Sequence, residues 1–125
     1  MRALIVDDSR AIRLMLKRSL GDCGFDEFLE AGNGQEALDA LGQADHVPDA
    51  AFVDWNMPVM TGIEFLRAAR ANPAYAAMAI LMVTSETSFE FMAEAIESGA
   101  DEYIMKPFTP DALRQKLDIV RSTRT

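Results

Sequence analysis

Four apolar runs of this chain each lead into a residue that can do chemistry. "ALIV" (3–6) precedes Asp7 and Asp8, "AAFV" (50–53) precedes Asp54, "AILMV" (79–83) precedes Thr84, and "YIM" (103–105) precedes Lys106. A charge at the tip of a buried run is costly unless something uses it. Three carboxylates brought together repel, and a hard cation relieves them best. Mg²⁺ suits such a set, since it binds through one or two carboxylates and keeps waters and phosphate oxygens as its other ligands. A lysine and a hydroxyl facing that cation supply the charge neutralisation and hydrogen bonds that a phosphoryl group needs. A carboxylate can itself accept phosphoryl as an aspartyl-phosphate. The chemistry these residue types suggest is phosphoryl capture, with Asp54 as the nucleophile.

Those residues meet only if the elements before them align. The four runs are continuous and apolar, as parallel strands buried on both faces are. "DEFLEA" (26–31) is more polar and reads as an edge strand with its acids toward solvent. Helical patterns lie between. Ile12, Met15, Leu16 and Leu20 form one inward face of a first helix, leaving Arg13, Lys17 and Arg18 outside. Asn33 with Glu36, Thr61 with Glu64, and Thr87 with Glu90 read as capping boxes that open the second, third and fourth helices. Gly99 ends the fourth, and Thr109-Pro110 opens a fifth that turns Leu113, Leu117 and Val120 inward. Five strand–helix units, (βα)5, with right-handed crossovers give an α/β fold: a doubly wound, five-stranded parallel sheet. The strand ends then share one edge, where open sheets of this kind place their ligands.

The 125 residues suffice for one domain with one core. With 50% apolar and 26% charged residues the chain is globular rather than disordered. A net charge of -8 argues against nucleic acid or an anionic membrane as partner, and suits a bound cation or a basic protein surface. Cys23 alone permits neither an intrachain disulfide nor a cysteine metal cluster, which fits a reduced, cytoplasmic setting. No run approaches the roughly 18 apolar residues of a membrane span. The N-terminus is too short in apolar residues for a signal-peptide core.

"LIVDDS", "VDWNMPVMTG", "MVTSE" and "YIMKPF", in this order and spacing, resemble the receiver domains of two-component response regulators, and stand-alone CheY-like proteins in particular. The resemblance covers essentially all of 1–125 as a single receiver domain without an output domain, and implies the flavodoxin-like strand order 2-1-3-4-5. It implies that Asp54 takes a phosphoryl group from a phosphohistidine on a sensor histidine kinase or phosphotransfer protein, docked on the first helix. Asp8 and Asp54 match carboxylates that ligate Mg²⁺, with Asp7 acting mainly through a water and Asn56 through its backbone carbonyl; Mn²⁺ is a substitute. Lys106 matches the lysine that pairs with the phosphoryl group. Thr84 matches the switch hydroxyl that moves to meet it, and Tyr103 the aromatic that turns inward with Thr84. Asn56 and Glu86 stand where the family tunes hydrolysis of the aspartyl-phosphate, and Lys106-Pro107 resembles its cis peptide bond. The implied protein is a cytoplasmic monomer, no enzyme beyond its own phosphorylation and dephosphorylation. It signals to a protein target by contact through its fourth helix, fifth strand and fifth helix. In one departure, "TSFEFMAEAIESGADE" is acidic and aromatic where chemotaxis proteins commonly carry lysines.

Plainer readings exist for each residue. Asp7, Asp8 and Ser9 suit a helix N-cap, Thr84 an ordinary strand end, Lys106 a solvated charge, and Tyr103 packing at the sheet edge. Their conjunction favours chemistry. Trp55 reads as a rim residue, His46 as exposed, and the eight methionines as core filler. Two other functions compete. A Mg²⁺-dependent phosphatase of the haloacid-dehalogenase type needs an acid two residues beyond its nucleophile, and Asn56 there cannot donate a proton in that way. A phosphate-independent binding module of the same fold would have no use for an intact set of Asp7, Asp8, Asp54, Thr84 and Lys106.

Overall fold

In the computed structural model, which describes residues 1–124, strands and helices alternate throughout. They are β1 (Arg2–Val6), α1 (Arg10–Gly21), β2 (Glu27–Ala31), α2 (Gly34–Gln43), β3 (Ala50–Val53), α3 (Gly62–Arg70), β4 (Ala79–Thr84), α4 (Phe89–Glu97), β5 (Glu102–Met105) and α5 (Pro110–Arg124). The expected domain end at Thr125 lies outside the described residues. All strand pairs are parallel, in the order 2-1-3-4-5. This is the doubly wound sheet that the apolar runs predict, with strand limits shifted by one residue at most.

Side chains alternate across a strand, so β1, β3 and β4 each feed two cores. Leu4, Val6, Ala51, Val53, Ile80 and Met82 meet α2, α3 and α4 on one face. Ala3, Ile5, Phe52, Leu81 and Val83 meet α1 and α5 on the other. No polar side chain interrupts β1 beyond Arg2, or β3, before its carboxyl tip. β2 lies at an edge, and its Glu27 and Glu30 are exposed as expected.

The helix ends follow their side-chain chemistry, with one correction. Thr61 and Glu64 form a complete capping box, and Asn33 accepts from the Glu36 amide at 2.9 Å. α4, however, is capped by Ser88, not Thr87: its hydroxyl accepts from the Glu90 amide at 3.1 Å. Starting one residue later puts Phe91 at the third helical position, where no carboxylate can return the bond. Gly99, with φ +111°, ends α4 through the Ala100 amide on the Ala95 carbonyl, 3.0 Å away. Thr109 accepts from the Ala112 amide at 3.1 Å and opens α5.

α1 differs from its predicted orientation. Met15 is exposed, and the buried row is Leu16 and Leu20 with Ile12 half-buried. The helix is rotated toward β2, so Arg13 and Lys17 reach Glu30, each at 3.2 Å. Arg13 also donates to the Asp7 carbonyl at 2.6 Å and is only partly exposed. No helix of the described residues is long and apolar enough to cross a membrane.

Candidate functional site

Parallel register brings the four tips together. Val6 pairs with Val53, Val53 with Met82, and Thr84 with Met105, so Asp7, Asp54, Thr84 and Lys106 sit along the carboxyl edge of the sheet. The buried polar residues among those described are Asp7, Asp54 and Thr84, all at this edge. Burying polar groups costs free energy, and the fold does so here.

One oxygen from each of Asp7, Asp8 and Asp54 lies within 4.8 Å of the others. Lys106 Nζ stands 2.7 Å from Asp7 Oδ2 and 3.4 Å from Asp54 Oδ1. Three carboxylates against one ammonium leave two negative charges, the deficit a divalent cation fills. The donors are all hard oxygens, and Asp8 is exposed, so such an ion could keep water ligands. Backbone amides hold the carboxylates in place: Ser9 N donates to Asp7 Oδ1 at 2.8 Å, and Trp55 N to Asp54 Oδ1 at 2.9 Å. Burial raises the Asp54 carboxyl above its ordinary 3.8. The Lys106 ammonium opposes this rise, and the charge of Asp7 adds to it.

Comparison with known proteins decides the family. The family model "Response regulator receiver domain" matches residues 3–118. The chain belongs to that family. This receiver domain is 42% identical to a chemotaxis protein CheY homolog of Campylobacter jejuni, over 98% of its own length and 94% of the relative's. It is 41% identical to the chemotaxis protein CheY of Pseudomonas aeruginosa, over 94% of each chain. The solved chemotaxis response regulator CheY4 of Vibrio cholerae superposes with a TM-score of 0.85 at 42% identity, covering 95% of this chain and 97% of that one.

The remaining expected residues of this receiver domain surround the acids. Thr84 Oγ1 accepts from the Glu86 amide at 3.2 Å. Asn56 Nδ2 donates to Glu86 Oε1 at 3.1 Å, so the two residues that the resemblance assigns to tuning hydrolysis touch each other. Tyr103 was expected to turn inward with Thr84; in the structure it is inward, with its hydroxyl donating to the Glu86 carbonyl at 2.7 Å. Burial raises its phenol pKa. The Lys106-Pro107 bond is cis. Trp55, expected at the rim, is buried, and its ring meets Phe91 of α4 edge-on at 4.9 Å.

Two positions escaped the sequence reading. A Cβ on Gly62 would overlap the Asp54 carbonyl oxygen, so a side chain there would displace the strand tip. Its signal was visible, since a glycine directly after an N-cap threonine has no helix-forming reason. The helical pattern places Arg13 on the outer, basic side of α1, yet its guanidinium also anchors the Asp7 backbone. His46 is exposed, as its loop predicts, beside Asp45 at 3.2 Å.

Proposed function

We propose that this receiver is a phosphorylation-switched signalling protein. Asp54 attacks the phosphorus of a phosphohistidine on a histidine kinase or phosphotransfer protein. A carboxyl O–P bond forms, the N–P bond breaks, and the imidazole leaves and takes up a proton. Water later attacks the same phosphorus, the acyl phosphate bond breaks, and inorganic phosphate departs. The observation that carries this reading is the buried Asp54 carboxylate with Asp7 and Asp8 clustered beside it and Lys106 at 3.4 Å.

Asp8, Asp54 and the Asn56 backbone carbonyl would hold Mg²⁺, or Mn²⁺ in its place, with Asp7 acting mainly through a water. When bound, the cation supplies charge neutralisation for phosphoryl oxygens. Lys106 pairs with the phosphoryl group, and Thr84 moves to donate to it, giving up its bond from the Glu86 amide. Asn56 and Glu86, bonded to each other, set how readily water approaches. Because Tyr103 is fastened to the same Glu86 backbone, a shift of Thr84 is felt at β5. The signal leaves as protein contact through α4, β5 and α5, from a cytoplasmic monomer that acts on no substrate but itself.

The test follows Trp55 fluorescence through addition of Mg²⁺ and then acetyl phosphate, with intact mass read in parallel and Asp54→Asn as control. A Mg²⁺-dependent change, then a second change that comes with a phosphoryl-sized mass gain and fades with it as donor is removed, supports the switch. A flat signal without adduct sinks it.

A further inference from the structure

The face assigned to output is apolar along one line and acidic along another. α4 turns Phe89, Met92 and Ile96 outward, at i, i+3 and i+7, as one stripe. Phe89 is 82% exposed and Ile96 50%, which is more than a lone stray contact. Beside the stripe lies a cleft of about 330 Å³ whose walls include Met92, Met105, Pro107, Phe108 and Lys116.

The charges around this surface are unbalanced. Its lysines are already engaged: Lys116 with Glu102 at 3.2 Å, and Lys106 with Asp7 at 2.7 Å. Glu90, Glu97 and Asp111 are exposed, and among the described residues no ion pair reaches them. Glu90 and Asp111 lie in first turns, where an acid helps its helix. Glu97 does the opposite. It is the last residue of α4, whose last turn carries no base, and a carboxylate there works against the helix dipole. Its presence is not explained by the stability of α4.

The geometry points to a basic amphipathic helix as the partner of this face. Its apolar side lies along Phe89, Met92 and Ile96 and reaches into the cleft, and its Lys or Arg residues meet Glu90 and Glu97. This identification rests on the output reading above and names the chemistry of the target.

The test uses the full chain and three labelled synthetic peptides, read by fluorescence anisotropy before and after Mg²⁺ and acetyl phosphate. One peptide is an amphipathic helix with leucines on one face and lysines on the other. The second replaces its lysines with glutamates, and the third shuffles the lysine peptide so that no apolar face forms. The lysine helix should bind about tenfold tighter than either other peptide, and less tightly as salt rises. Glu97→Lys, which suits the end of α4, should weaken it about fivefold, whereas Asp39→Lys on α2, with the same change in net charge, should not. Phe89→Ser should weaken it as well. No binding, equal binding of the glutamate or shuffled peptide, or equal losses from Glu97→Lys and Asp39→Lys would overturn the proposal. Intact mass separates the two readings. A phosphorylated chain that fails to discriminate the peptides loses this partner but not the switch. A chain that discriminates them yet never gains phosphoryl loses the switch but keeps the surface.

Discussion

The two edges of the sheet hold the same kinds of side chain and use them in opposite ways. At the amino edge, acids are answered. Arg2 pairs with Glu27 at 2.7 Å and Asp45 at 2.8 Å, and Asp49 accepts from its amide at 2.8 Å. Asp101 binds Arg70 and Arg124, each at 2.9 Å, and the Ile80 amide at 2.8 Å. Arg70 is further held by the carbonyls of Gly99, Tyr75 and Met78. At the carboxyl edge, three acids crowd together and one lysine reaches two of them. The first arrangement ties α3 and α5 to the strand starts. The second leaves negative charge uncompensated, which a cation would offset. The first arrangement serves stability, and on the proposed reading the second serves reactivity.

The contrast can be broken most severely at Gly62. Gly62→Ala forces a Cβ into the Asp54 carbonyl and should cost about 3 kcal/mol or more, with loss of phosphorylation. Gly42, within α2, has open space around it, and Gly42→Ala should instead gain about 0.5–1 kcal/mol. Urea midpoints for the pair decide this; similar midpoints would mean that the strand tip yields. Next comes the amino edge. Asp101→Ala removes the carboxylate shared by two arginines and leaves a buried strand amide unpaired, and should cost about 3 kcal/mol. Mass gain at Asp54 under native conditions should survive it. Joint loss of stability and phosphorylation at low denaturant would show that the edges are not separate.

The carboxyl edge was legible because its chemistry lies in residue types at strand ends, and the strands are unmistakable apolar runs. What escaped depends on geometry that no local pattern encodes. Met15 fits an inward helical face as well as Leu16 does, but burying Leu16 and Leu20 fixes the rotation of α1, leaving Met15 outside and Arg13 and Lys17 within 3.2 Å of Glu30. Thr87 and Ser88 are both sound caps, and one residue decides between them. Val59 is the sharpest case. It takes φ +69°, which a β-branched residue adopts at a cost of about 1–3 kcal/mol. The Met60 amide on the Pro58 carbonyl at 2.7 Å and the Gly34 amide on the Met60 carbonyl at 3.1 Å impose that turn. A sequence reading sees only a valine. The amino-edge network was missed for the same reason, since Arg70, Asp101 and Arg124 meet only in three dimensions.

A smaller effect tests how the reactive edge speaks to α4. The edge-on contact of Trp55 with Phe91 at 4.9 Å should be worth about 1 kcal/mol. A double-mutant cycle over Trp55→Leu and Phe91→Leu, read by urea unfolding, should recover a coupling of that size. With Phe91→Leu alone, mass gain at Asp54 should persist while the phosphorylation-linked change in Trp55 fluorescence shrinks. An unchanged fluorescence response would assign the coupling to Thr84 and Tyr103 alone.

The subtlest test asks whether the reactive edge is held against its own stability. Burial, despite the Lys106 ammonium, raises the Asp54 carboxyl above its ordinary 3.8, so the folded chain holds that proton more tightly than the unfolded one. The favourable contribution of this group is therefore complete below the unfolded value and is lost as pH climbs through the folded one. At pH 7 this group therefore weighs against the fold, and an amide of the same shape does not. Asp54→Asn should thus melt at a higher temperature than the wild type in metal-free buffer at pH 7, by less than the losses above. The gap should close as pH falls toward 4. Adding Mg²⁺ should narrow it at pH 7, because the cation relieves the charge that the wild type carries. A variant less stable than wild type at pH 7 without metal would mean that Lys106 already satisfies Asp54. The two edges would then differ in composition and not in strain.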